Sequence, residues 1–294
     1  MGQFHPLTQE FLDNIPEKKL SIPYCKESPL QIMDVYFPPV LQSTPRPVLI
    51  HTHGGAFANG NQREDNAEPM ISAIHRGYVV ASIQYRGAKT AFFPAQLYDC
   101  KAAVRFLRAH AVEWNLDAKH FAAWGPSSGG WLASMLGVTG DNPAFEDRSQ
   151  GNGEYSSAVQ AVIDWCGPCG GFLEMDRAFR KSGLGDPNHD SPQSPESKFM
   201  GRTITEIPEL VKLACPISYV NPAMPPFCIF HGTADQVVPV EQSVAFAAAI
   251  TEAAGADKVE LHLVTGITHH GDPQYQQPWI ANECLDFLDR VFKK

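Results

Sequence analysis

The chain has 294 residues, 44% of them apolar, and its 23 Lys+Arg against 32 Asp+Glu give a formal charge of −9. This suits one α/β domain of ordinary globular make-up, and the acidic balance argues against nucleic acid or an anionic membrane as partner. No run approaches the ~18 apolar residues of a membrane span. The N-terminal stretch MGQFHPLTQEFLDNIPEKK lacks the basic start and apolar core of a signal peptide, so a cytoplasmic location is expected. The seven scattered cysteines do not read as a disulfide framework but as small buried apolar residues.

Taken in order, Leu30–Phe37 looks extended and leads into prolines. Pro47–His53 is a short apolar run ending in glycines, and Tyr78–Ile83 is a second. Leu97, Cys100, Val104, Leu107 and Ala111 then recur at three- and four-residue steps, placing them on one helix face. A strand over His120–Trp124 is followed by a helix over Trp131–Gly137. Ala158–Ile163 and Phe227–Phe230 read as further strands buried on both faces. Val240–Ala254 is alanine-rich and stops at Gly255. Val259, Leu261 and Leu263 alternate with polar residues, as expected nearer a sheet edge, and Ile280, Cys284, Phe287 and Val291 mark a last helix face. Strands separated by helices imply an α/β fold with a parallel sheet and helices on both faces. Residues 167–221 break the alternation with many Gly, Pro, Ser and Asp residues and a short helical piece around Ile207–Ala214. They read as an insertion within the single domain 1–294, either a partial lid or an ordinary long connection.

Between the strand and helix near residue 124 lies Gly125-Pro-Ser127-Ser-Gly129. A G-x-S-x-G turn in that context exposes one serine hydroxyl at the top of a sheet, which makes Ser127 the candidate nucleophile. A serine needs a base, and the base needs an orienting group. The loop after Phe227–Phe230 offers Asp235. The loop after Val259–Val264 offers His269 and His270, of which His270 is preferred because His-Gly leaves the ring on a tight, exposed turn. His53-Gly54-Gly55-Ala56 follows another strand, and glycines there let backbone amides approach a substrate oxygen. The amides of Gly55, Ala56 and Ser128 are therefore the expected oxyanion donors. His53 is read as a brace for that loop. Phe57, Phe92, Phe93 and Trp131 lie in or near these loops and are read as a candidate aromatic substrate pocket, with core packing as the alternative for some of them.

The order serine, acid, histidine, with these loops, resembles the α/β-hydrolase superfamily, and within it the esterases with an HGG oxyanion loop. The nearest resemblance is to the carbohydrate-esterase-like group of feruloyl and acetylxylan esterases. It rests on Asp34-Val-Tyr-Phe-Pro38, His53-Gly-Gly-Ala-Phe57, Gln84-Tyr-Arg86, Gly125-Pro-Ser-Ser-Gly-Gly130, Cys215-Pro-Ile-Ser-Tyr-Val220, His231-Gly-Thr-Ala-Asp235 and His270-Gly-Asp272. The resemblance implies an α/β-hydrolase fold and hydrolysis of a small-molecule ester through Ser127, Asp235 and His270, with no metal or organic cofactor. It departs from the group at Pro126, before the nucleophile, and at Trp131, where a smaller polar residue is more usual. Short acyl or aryl esters are the expected substrates. An amidase or formamidase with the same triad is the alternative, and a non-catalytic receptor on the same fold is a third reading. The sequence leaves a homodimer open. Trp165-Cys-Gly-Pro-Cys169 repeats the thioredoxin active-site string. Its position after a strand, with Gly170-Gly171 following, argues for a turn over redox catalysis, while a Cys166–Cys169 disulfide stays open.

Overall fold

The computed structural model describes residues 5–40 and 43–293, so the first four residues of the N-terminal stretch lie outside the described residues. The apolar runs form an eight-stranded sheet in the order β1-β2-β4-β3-β5-β6-β7-β8. The strands are β1 Lys18–Pro23, β2 Ile32–Tyr36, β3 Arg46–Thr52, β4 Val79–Ile83, β5 Leu116–Pro126, β6 Ala161–Trp165, β7 Phe227–Gly232 and β8 Val259–Val264. β2 runs antiparallel to both neighbours, and every pairing from β4 through β3 to β8 is parallel.

The central strands are apolar on both faces because both faces are covered. Val48 and Ile50 of β3 join a core with Leu97, Leu132 and Phe246, while Leu49 between them joins a second core with Trp124, Ile280 and Leu288. The first core lies under the helices Ala95–Ala109, Ser128–Thr139 and Glu241–Ala254, the second under Pro278–Phe292. Gly255, at φ 105, ends the third of these where a side chain would be strained. β8 has a mostly half-buried pattern, as its alternating sequence predicted. Among the described residues no helix is long and apolar enough to cross a membrane.

The chain leaves β3 to pair β4 on one side and later returns to pair β5 on the other. This reversal opens a crevice beyond the carboxyl ends of β3 and β5, the usual ligand position in an open α/β sheet. The loops after β3, β5, β7 and β8 all leave from that edge. Within residues 167–221, the helices Met175–Ser182, Pro195–Met200 and Pro208–Leu213 bring Met175, Phe199 and Val211 onto the first core.

Candidate active site

Ser127 is the single residue between β5 and the helix Ser128–Thr139, with φ 55 and ψ −124. That backbone is strained for a residue with a Cβ, and it is the geometry a nucleophile elbow requires. Both ends of the turn are held: Ser127 N–H donates to Trp165 O at 2.7 Å, and Ser127 O accepts from Trp131 N at 3.0 Å. The helix start is pressed against β3, so a Cβ on Gly129 would lie 2.0 Å from Thr52 O. Thr52 Oγ1 uses that closeness to donate to Gly129 O at 2.8 Å.

Asp235 is buried in the turn after β7. Its Oδ1 accepts from Val237 N and Val238 N at 2.8 and 2.9 Å, and its Oδ2 accepts from His269 Nδ1 at 2.6 Å. Burial pushes the Asp235 carboxyl up, but His269 and His231 facing it outweigh that and hold it well below the usual carboxylate range. The pair is therefore a carboxylate on an imidazole that presents its other nitrogen elsewhere.

Of the two adjacent histidines, His269 is the one whose ring is hydrogen-bonded to Asp235, where the sequence had favoured His270. The carbonyl of His269 accepts from Asp272 N at 2.7 Å, and Asp272 Oδ2 accepts from both Thr268 N and Thr268 Oγ1 at 3.1 Å. This closed loop sends the two rings in different directions. His270 turns inward, only 4% exposed, against the loop after β3. A Cβ on Gly54 would sit 3.2 Å from His270 Nε2 and 3.1 Å from Pro126 O. Burial, followed by the neighbouring His269, pushes the His270 imidazole well below its ordinary value and keeps it neutral.

Gly55, Ala56 and Phe57 all have positive φ, at 122, 54 and 62. Among the described residues, the N–H groups of Gly55, Ala56 and Ser128 have no acceptor within the protein. His53 braces the loop as expected: its ring stacks on Tyr85 at 4.2 Å, and Tyr85 Oη donates to His53 O at 2.7 Å. Gly55, Ala56, Ser127, Val237, His269 and His270 line one cleft of about 630 Å³, to which residues 167–221 contribute no side chain.

The four aromatic residues stand apart from this cleft. Trp131 and Phe57 are 0% and 3% exposed and pack with Phe172 and Phe199 in the core. Trp131 Nε1 donates to Ala214 O at 2.6 Å, which fixes the ring away from the cleft. Phe93 packs at the rim of the same cluster, and exposed Phe92 borders a separate depression with Lys198 and Arg202. None of the four lines the cleft at Ser127.

The Trp165–Cys169 string forms the irregular turn after β6 that the sequence suggested. Both cysteines are free and buried. Cys169 Sγ donates to Asp164 Oδ2 at 3.2 Å. Cys166 lies behind the acid–histidine pair, its sulfur within 4.8 Å of an Asp235 oxygen and a His269 nitrogen. Burial, then the charge of Asp235, pushes its thiol well up. The sequence string marked Cys166 but not this placement, because the residue follows β6 and meets the other two only through the fold.

The profile of the BD-FAE family matches residues 33–250. Esterase LipC of Mycobacterium tuberculosis is 30% identical over 220 residues, covering 75% of this chain and 52% of its own length. The chain thus spans about half the length of that curated relative. Among solved structures, a truncated carbohydrate esterase from gut microbiota superposes with TM-score 0.84 at 27% identity, covering 99% of this chain and 100% of the other. Thermogutta terrifontis esterase 2, in a form phosphonylated by sarin, superposes with TM-score 0.74 at 25% identity over 95% of this chain and 96% of its own. The fold is that of the α/β-hydrolases.

Proposed function

Because the chain belongs to the BD-FAE family and has the α/β-hydrolase fold, we propose that it is a serine carboxylic ester hydrolase acting through Ser127. The observation that carries this reading is the strained Ser127 turn opening on the same cleft as the Asp235–His269 pair. In this mechanism Ser127 Oγ attacks the ester carbonyl while His269 takes its proton, and Asp235 holds the resulting imidazolium. The free amides of Gly55, Ala56 and Ser128 stabilise the oxyanion, where one donor is commonly worth about 3–4 kcal/mol. His269 then protonates the leaving alcohol, and water repeats the sequence on the acyl-enzyme.

The names of the relatives support ester hydrolysis, and phosphonylation of a related fold by sarin fits a nucleophilic site of this kind. The substrates we propose are short acyl or aryl esters, acetyl and feruloyl among them. The cleft walls that would meet the acyl group are loop residues such as Val237 and Pro273, in place of the aromatic set. The test is Ser127→Ala on p-nitrophenyl acetate, with a fluorophosphonate probe alongside. Loss of both turnover and labelling in a folded variant is expected. Turnover like that of the unsubstituted protein would sink the assignment.

A further inference from the structure

The second half of the sheet carries a cluster of donors unconnected with the cleft. Cys228 on β7 is paired in register with Glu260 on β8, and Phe230 with His262. Residues paired in parallel strands share a face, so Cys228, Glu260 and His262 project to one side. The helix Pro278–Phe292 covers that side in the second core and brings Cys284 there. One ligand atom from each of Cys228, Glu260 and His262 lies within 4.8 Å of the others.

We propose that Cys228, Glu260 and His262 bind a borderline-soft divalent cation of the zinc class, with the fourth position left to water. A thiolate, an imidazole and a carboxylate form a donor set suited to zinc and poor for magnesium or calcium. A tetrahedral shell with metal bonds of about 2.0–2.3 Å separates its donors by roughly 3.3–3.8 Å. His262 Nε2 and Glu260 Oε2 stand 3.8 Å apart, at the outer limit of that range. His262 Nε2 is shielded from solvent and makes no hydrogen bond of regular geometry among the described residues, with Cys228 and Glu260 the groups that face the ring. Stacking of the ring on Phe230, with centroids 4.3 Å apart and planes 7° from parallel, fixes its aim. Glu260 and His262 are partly exposed and provide an entry path, while the Cys228 thiol is buried. Arg290 holds both Glu260 oxygens at 2.8 and 2.7 Å, so the cation competes with the guanidinium for one of them. Bound there, the ion would clasp β7 to β8 under the last helix, away from the loops that carry Asp235 and His269.

The experiment uses the full chain, kept reduced and stripped with chelator, titrated with Co²⁺. One equivalent is expected to give a thiolate-to-cobalt charge-transfer band and a visible d–d band of tetrahedral intensity. Zn²⁺ should bleach both and raise the melting temperature. Cys228→Ala should abolish the charge-transfer band. Glu260→Gln, on a partly exposed residue that leaves the fold intact, should weaken Co²⁺ at least tenfold with ester hydrolysis unchanged, and Arg290→Ala should strengthen it. Absence of a charge-transfer band at saturating Co²⁺ overturns the proposal. So does a band that survives Cys228→Ala, or one that disappears in Cys166→Ala and not in Cys228→Ala.

Discussion

Replacing Asp235 by Asn tests the acid–histidine pair with almost no change in shape. Oδ1 of Asp235 faces two N–H donors, from Val237 and Val238, so the amide oxygen of the variant must take that position. The NH₂ group then faces His269 Nδ1, where the carboxylate oxygen now stands at 2.6 Å. Two donors cannot share that contact, so His269 must move its proton to Nε2. The nitrogen needed to accept the Ser127 proton is then already occupied. The same substitution in a serine-protease triad lowers kcat about 10⁴-fold, which is roughly 5.5 kcal/mol of barrier at 1.36 kcal/mol per decade. We expect Asp235→Asn to lose ~10⁴ in kcat on p-nitrophenyl acetate, with KM changed little, because the acid does not touch substrate. Circular dichroism and the urea midpoint verify the fold. A folded variant within tenfold of the parent would refute the tautomer argument and the role given to Asp235.

The adjacent histidines are separable by the same assay. His269→Ala should match Ser127→Ala in residual rate, whereas His270→Gln should keep a large part of kcat; the reverse order would return the base to His270. Acid stability provides a further check. Burial drives His51 down to about 3 and His53 to about 4, so both stay neutral in the fold. Unfolded histidines titrate near ~6.5, so below that pH the unfolded chain takes up protons that the folded chain refuses, and stability falls as pH drops. The pair should cost about 4 kcal/mol between pH 8 and pH 5. Urea midpoints should show this, His51→Gln should halve the slope, and a flat profile would contradict the buried neutral assignment.

Strands with two covered faces announced themselves in the sequence through unbroken apolar runs such as Val48–Ile50 and Ala161–Ile163, although the strand read as Ala158–Ile163 forms over Ala161–Trp165. β1 did not: its lysines are half-exposed, Ser21 sits at φ 56, and the pairing shifts register between Lys19 and Ile22. Ser127 and Asp235 could be singled out in the sequence because each follows a strand-like run in a turn with few alternatives. Which of the adjacent histidines meets Asp235 could not, since neighbouring residues are distinguished only by which way a loop turns their rings, and that depends on the Thr268–Asp272 closure. The aromatic set misled for a related reason. Proximity in sequence to a site loop does not say whether a ring faces the cleft or the core, and Trp131 is committed to the core by Ala214 O.

The backbone of Ser127 has a consequence for how this protein balances folding against chemistry. A residue with a Cβ held at φ 55 and ψ −124 raises the energy of the folded state by about 1–3 kcal/mol. Glycine adopts that conformation without the penalty. A Ser127→Gly chain should therefore be inert and yet melt higher than its parent. The hydroxyl persists at a position where folding alone would favour its removal, so tolerance of mutations elsewhere is narrowed by the presence of the nucleophile itself.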